Sequence, residues 1–309
     1  MRPHCILDSE EMLVQFGYTA QMKRKKKAGK TRGRIPIKHW SHSSLMAFLR
    51  NPLAWYKRYV EEIYDTPSTP ASIVGRAGHL ALEHFYLSVQ AGKNPDKKAS
   101  IEKGLEYLRS VGDFEIDFGR AKTRRAKKEK RRAMEQEYVR AISYYLSRPP
   151  RHRVLGVEVK GVVKVPGLPL PIKAVSDLVV ASNIEGGAVD IVDHKFVASF
   201  SKGGAVKALF VMQSIFNYYT VKALFGKSVR RFIVYECKKS RNVDGTSQMR
   251  RYIIDFRERK DDFMVFHRLI NDATEEISRP RKYLPNPSDM FEGDNSFDIY
   301  RLGLVDEEN

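Results

Sequence analysis

Two acids and an amine stand where apolar runs end in this 309-residue chain. Within Ala174–Lys195, AVSDLVVASNIEGGAVDIVDHK, Asp177 precedes Leu178, Val179 and Val180, while Ile191 and Val192 lead directly into Asp193, His194 and Lys195. Both runs have the apolar character of strands, and Asn183 to Gly187 supplies a turn between them. Side chains alternate along a strand, so Asp193 and Lys195 share a face, and a short hairpin brings Asp177 beside them. Two carboxylates so placed repel one another and raise the proton affinity of one of them unless a cation neutralises the site. A hard divalent ion, Mg2+ or Mn2+, does this best, taking carboxylates together with water and phosphate oxygens. A lysine beside it can hold an attacking water or stabilise charge building on a phosphate. The bland alternative is an edge hairpin with solvated charges, so the surrounding sequence decides.

Asp177, then Asp193-His194-Lys195 after an apolar strand, resembles the PD-(D/E)XK nuclease superfamily, and specifically its RecB-like exonuclease branch. Upstream, Gly75-Arg76-Ala77-Gly78-His79, followed by Glu83 and Phe85, is similar to that branch's G-x-x-x-H helix. Gly156-Val157-Glu158 resembles its glutamate-bearing strand, and the run from Met212 and Gln213 to Tyr218 and Tyr219 resembles its Q-x-x-x-Y helix. The pattern from Ser41 to Pro52, S-x-S-x-x-x-x-F-x-x-N-P, resembles the branch's opening motif. The chain departs from the pattern in places. Ser176 stands where the superfamily's name records a proline, Ala174 where glycine is common, Phe196 where threonine often follows the lysine, and Asn217 four residues after Gln213.

The resemblance implies a role for each matching residue. Asp177, Asp193, the backbone carbonyl of His194 and the imidazole of His79 would hold Mg2+ or Mn2+, and Lys195 would position the water. Glu158 would support the site or replace one ligand. Gln213 and Tyr218 would lie on a helix beside the site, where that helix often touches DNA. The implied activity is a metal-dependent deoxyribonuclease, an exonuclease acting on single-stranded ends in replication, recombination or repair. A structure-specific endonuclease of the same fold, or a binding protein that has lost turnover, stands as the alternative. Some relatives hold an iron-sulfur cluster on four cysteines; with only Cys5 and Cys237 this chain is expected to carry none.

The formal charge of +18 is concentrated. Eight basic residues and no acid lie between Lys23 and Arg34, and nine basic residues with one acid lie between Arg120 and Arg132, so the remainder is nearly neutral. Dense basic blocks on a near-neutral globule suit a polyanion, because each phosphate contact releases counterions. Lys122, Arg124, Arg125, Lys127 and Lys128 are the candidate contacts, and DNA with a single-stranded or free end is the expected partner. With no Gly-x-x-x-x-Gly-Lys loop, a helicase or a single-strand-binding protein would be a separate chain. No apolar run is long enough for a bilayer and the start lacks a secretory pattern, so a soluble, intracellular, cytoplasmic protein is expected, of a size that would suit a viral or mobile-element nuclease.

These groups need a scaffold that changes period near residue 150. Helices are expected over Ser44–Leu49, Ser72–Val89, Lys97–Leu108 and the long pattern Phe118–Leu146, closed by Pro149 and Pro150. Strands are expected over Val154–Val165, Leu170–Val180 and Val189–Phe196, then a helix over Ala205–Leu224, strands over Arg231–Cys237 and Arg250–Phe256, and a last helix over Asp261–Ile277. The fold class is α/β, a restriction-endonuclease-like mixed sheet flanked by helices, with an N-terminal helical region and a long basic helix. Residues 1–39 read as a basic, mobile arm, 40–150 as the helical region, 151–302 as the nuclease-like core and 303–309 as an acidic tail.

Overall fold

The computed structural model describes residues 35–63, 66–201 and 208–286. Most of the basic arm and the whole acidic tail lie outside the described residues, as does Cys5.

The first five helices each begin where a short polar side chain satisfies a free amide. Helix α1 (His42–Arg50) is capped by Ser41, whose hydroxyl accepts from the Ser44 amide while Ser44 bonds back to the Ser41 amide. Asn51 then caps α2 (Pro52–Tyr59), with Pro52 in the first turn where its missing N–H costs nothing. Thr69 caps α3 (Pro70–Gln90) and Asp96 caps α4 (Lys97–Ser110). The long helix α5 spans Arg124–Ser147 and starts later than the sequence pattern implies, because the Thr123 hydroxyl accepts from the Ala126 amide and fixes the first turn there.

The strands are β1 (Trp40–Ser41), β2 (Val154–Val163), β3 (Ile172–Ala181), β4 (Val189–Val197), β5 (Val229–Lys238) and β6 (Met249–Asp255). Helix α6 (Ala208–Phe225) lies between β4 and β5, ends before Gly226 at φ +60°, and α7 (Lys260–Ile277) follows β6. Together the strands form one six-stranded mixed sheet, the α/β architecture expected.

The pairing register explains where a site can form. A strand has two edges, and β2 covers one edge of β3 antiparallel from Val180 back to Ile172. The other edge is shared: β1 pairs in parallel with Ile172 and Lys173, and β4 pairs antiparallel with Leu178 through Ala181. Beyond Val192, β4 leaves β3 but stays paired with β5 as far as Val197. The sheet therefore forks at Asp177 and Asp193. Two apolar cores lie on its opposite faces. Leu45, Phe48, Trp55, Phe216 and Phe266 from α1, α2, α6 and α7 fill one, and Val74, Phe85, Tyr138, Ile142 and Tyr145 from α3 and α5 fill the other together with α4. Among the described residues no helix is long and apolar enough to cross a membrane.

Candidate metal centre at the sheet fork

At the fork, backbone amides lose their ladder partners and side chains must replace them. The Asp177 carboxylate does so, accepting from the His194 amide at 2.7 Å. The same oxygen lies 3.3 Å from Nδ1 of His79, which α3 brings down onto the sheet. Across the other edge of β3, Glu158 falls between the pairs Val157↔Leu178 and Val159↔Ser176 and so stands opposite Asp177. Glu158 has φ +47°, a left-handed conformation costly for a residue with a Cβ. His79, Glu158 and Asp177 offer one ligand atom each within 4.8 Å of one another.

A second group comes up from the α6 face. Lys195 donates to Asp193 Oδ1 at 3.0 Å, and Gln213 on α6 donates to the same oxygen at 2.8 Å. Oδ2 of Asp193 lies 2.9 Å from the Lys195 ammonium, yet is buried and accepts no hydrogen bond. His194 points the opposite way. Its ring, almost wholly buried, is stacked by Tyr86 and Tyr235, and its Nε2 lies 2.8 Å from the Tyr145 hydroxyl.

The electrostatics tie the two groups together. Burial raises the Asp193 pKa and the charge of Asp177 raises it further, against the pull of Lys195. Burial would also raise Asp177, but the charge of His79 and the hydrogen bonds it receives hold it well below the usual carboxylate range. Burial disfavours charge on His79, yet Asp177 and then Asp193 overcome it and lift its pKa to about 9. Glu158 is pushed up to about 7 by burial and by Asp177. Lys195 is raised by its two aspartates in spite of burial. Acids that hold on to protons and an imidazole that takes one are what a cation site shows when only protons balance its charge.

The residues present fit a hard divalent ion: two carboxylates and an imidazole within reach of one centre, and beside them a buried carboxylate oxygen that accepts no hydrogen bond. Such an ion supplies a Lewis acid and an activated water.

The fork brings His79, Glu158, Asp177, Asp193, His194, Lys195 and Gln213 together. Other candidates lie elsewhere. Lys122, Arg124, Arg125, Lys127 and Lys128 stand at the far end of α5 from Tyr145, about 25 to 30 Å away along the axis for the helical ones at 1.5 Å per residue. The Tyr218 ring packs against Phe256 and Phe263. Two residues that depart from the family pattern meet: the Ser176 hydroxyl donates to Asn217 Oδ1 at 2.7 Å, and Asn217 donates on to the Gln213 carbonyl, so α6 is docked on β3 beside the site. The sequence reading did not select His42, whose Nε2 is buried without a partner and whose pKa is lowered to about 4 by burial and then by Lys195. Nor did it select Tyr145. Nothing in their local spacing marks either one.

A family model for the PD-(D/E)XK nuclease superfamily matches residues 39–290. Among solved structures, a proposed exonuclease from Eubacterium rectale aligns with 13% identity and a TM-score of 0.40, covering 83% of this chain and 94% of its own. The protein SSO0001 aligns with 15% identity and a TM-score of 0.22, covering 72% of this chain and 84% of its own. No curated protein matches the sequence.

Proposed function

The chain belongs to the PD-(D/E)XK nuclease superfamily, and from that premise we propose that it is a metal-dependent DNA nuclease of the RecB-like kind, an exonuclease acting on single-stranded ends in replication, recombination or repair. The observation that carries this reading is the convergence at one fork of the His79, Glu158 and Asp177 donors with the Asp193–Lys195 pair.

In this proposal His79, Asp177, Asp193 and the His194 carbonyl hold Mg2+ or Mn2+, with Glu158 as a further or substitute donor. An ion held there would supply a Lewis acid for the scissile phosphate and an activated water. Lys195 keeps its proton, since its aspartates raise its pKa, and so orients that water by donating to it and stabilises negative charge on the phosphate. Gln213 fixes the Asp193 carboxylate, leaving Oδ2 to the ion. The basic stretch at the start of α5 binds the strand away from the cut.

End-labelled linear DNA incubated with the protein and Mn2+ should yield short products, and single-stranded circles should survive. Persistent binding without product in several metals would sink the enzyme reading, whereas degraded circles would make it an endonuclease.

A further inference from the structure

The open side of β2 and β3 continues the site as a basic strip. On these strands Gly161 and Ser176 face α6: a Cβ on Gly161 would meet Thr220 and Leu224, and Ser176 bonds to Asn217. Alternation therefore turns Lys160, Val162, Lys164, Lys173 and Val175 to the opposite side, and all five are exposed. Lys160 pairs with Val175 and Val162 with Lys173, so the strip is continuous across the two strands. Val162 is 55% and Val175 38% exposed, high for valines in the middle of a sheet. No acid interrupts the strip, and among the described residues none of its lysines is held in an ion pair.

The spacing of the charges is regular. Residues on one face of a strand recur every 6.6 Å or so. Starting from Glu158, successive steps carry Lys160, then Lys173 opposite Val162, then Lys164, which is one ammonium per step over about 20 Å. That repeat is close to the distance between successive phosphates along a polynucleotide strand, so each lysine can meet one phosphate. The valines offer apolar contact to sugars and bases without reading sequence. The strip starts beside Glu158, two residues from Lys160 on the same strand.

We propose that this strip is the track along which a single-stranded polynucleotide leaves the fork, with phosphates on Lys160, Lys173 and Lys164. It extends the function proposed above by naming the strand's path, and it separates that path from the basic end of α5. A short strand fits the strip alone; a long one also reaches α5.

The test is fluorescence anisotropy with labelled hexathymidylate and a 20-mer, in EDTA so that nothing is cut, for the full chain and three variants. Lys160→Glu/Lys164→Glu/Lys173→Glu should weaken hexamer binding at least tenfold and flatten the slope of log affinity against log salt by about 2, at roughly 0.7 per lost single-strand phosphate contact. Lys127→Glu/Lys128→Glu should leave the hexamer within twofold and weaken the 20-mer. Lys97→Glu/Lys98→Glu, exposed on α4, serves as the control for net charge. Equal losses in all three variants, an unchanged hexamer affinity in the first, or self-association through the strip with no oligonucleotide bound would overturn the proposal. Cleavage by the unmodified chain in Mn2+ is scored separately: hexamer binding on the strip without cleavage keeps the track and removes the nuclease, and cleavage unaffected by the triple reversal does the opposite.

Discussion

Tyr145 Oη lies 2.8 Å from Nε2 of His194 and 2.7 Å from the hydroxyl of Tyr86. On the other side of the ring, Nδ1 faces Asp177 Oδ2 at 3.3 Å. A carboxylate only accepts, so the imidazole is best placed with its proton on Nδ1, and Nε2 must then accept from Tyr145. A line of polar contacts thus runs from Tyr86 through Tyr145 and His194 toward a site carboxylate, its last step a 3.3 Å approach of Nδ1 that makes no aligned hydrogen bond. Tyr145→Phe leaves Nε2 buried and unsatisfied and should cost about 1 to 3 kcal/mol in urea unfolding. It should also shift the His194 nitrogen-15 signals toward a mixture of tautomers. A fully folded variant with unaltered signals would remove the relay.

Asp193→Ala or Lys195→Ala should each reduce cleavage at least a thousandfold while the affinity for DNA in EDTA stays within a few-fold. Lys195 and Gln213 share one oxygen of Asp193, so Gln213→Ala should give a smaller loss, about tenfold to a hundredfold. Full turnover in both the Asp193 and Lys195 variants would rule out the assignment.

The stability of the metal-free protein should fall as pH rises. His79 has a folded pKa of about 9, above its ordinary 6.5, so its stabilisation is fully present below 6.5 and is lost as pH rises through 9. Glu158 at about 7, above its ordinary 4.5, likewise keeps a proton in the fold that the unfolded chain releases, so stability declines between 4.5 and 7. Mn2+ competes with those protons and should raise Tm more at pH 9 than at pH 6. His79→Gln should flatten the metal-free decline between pH 6.5 and 9; a decline identical to that of the unmodified chain would contradict the His79–Asp177 pairing.

A Cβ placed on Gly78 would lie 2.2 Å from the Phe196 ring, so the ring that follows Lys195 packs directly on the turn of α3 bearing His79. Gly78→Ala should destabilise by about 1 to 3 kcal/mol through overpacking and weaken Mn2+ binding by displacing the imidazole. Adding Phe196→Leu should recover part of both losses. If the second change only adds to the first, the contact does not set the position of His79.

Ser176 and Asn217 should be coupled. Ser176→Ala leaves Asn217 Oδ1 buried without its donor and should cost about 1 to 3 kcal/mol, whereas the double change with Asn217→Ala should cost less than the two single changes added together. Strict additivity would show that the bond contributes nothing.

The strands from Val154 to Val197 and their charged ends were legible because apolar alternation and turn residues report burial within a few residues of themselves. The start of the first helix was legible for the same local reason, Ser41 being a capping type, whereas the long helix starts six residues later than its pattern implies. The rest depends on contacts between distant segments. The two residues of β1 are too short to show a period, and they become a strand only against β3. The left-handed Glu158 breaks no sequence rule. The ring of His194 is met by Tyr86 and Tyr145, 108 and 49 positions away, which carry only the apolar signature of helix faces. The meeting of Ser176 with Asn217 joins two departures that looked unrelated along the chain.

The Asp193-His194-Lys195 tripeptide threads the sheet like a rivet, its outer members fastened to the α6 layer and its middle member clasped by tyrosines of α3 and α5. An intermediate with one layer undocked has either no Gln213 holding the aspartate or no His79 to complete the donors. The donor set is consequently complete only when both helical layers are docked on the sheet.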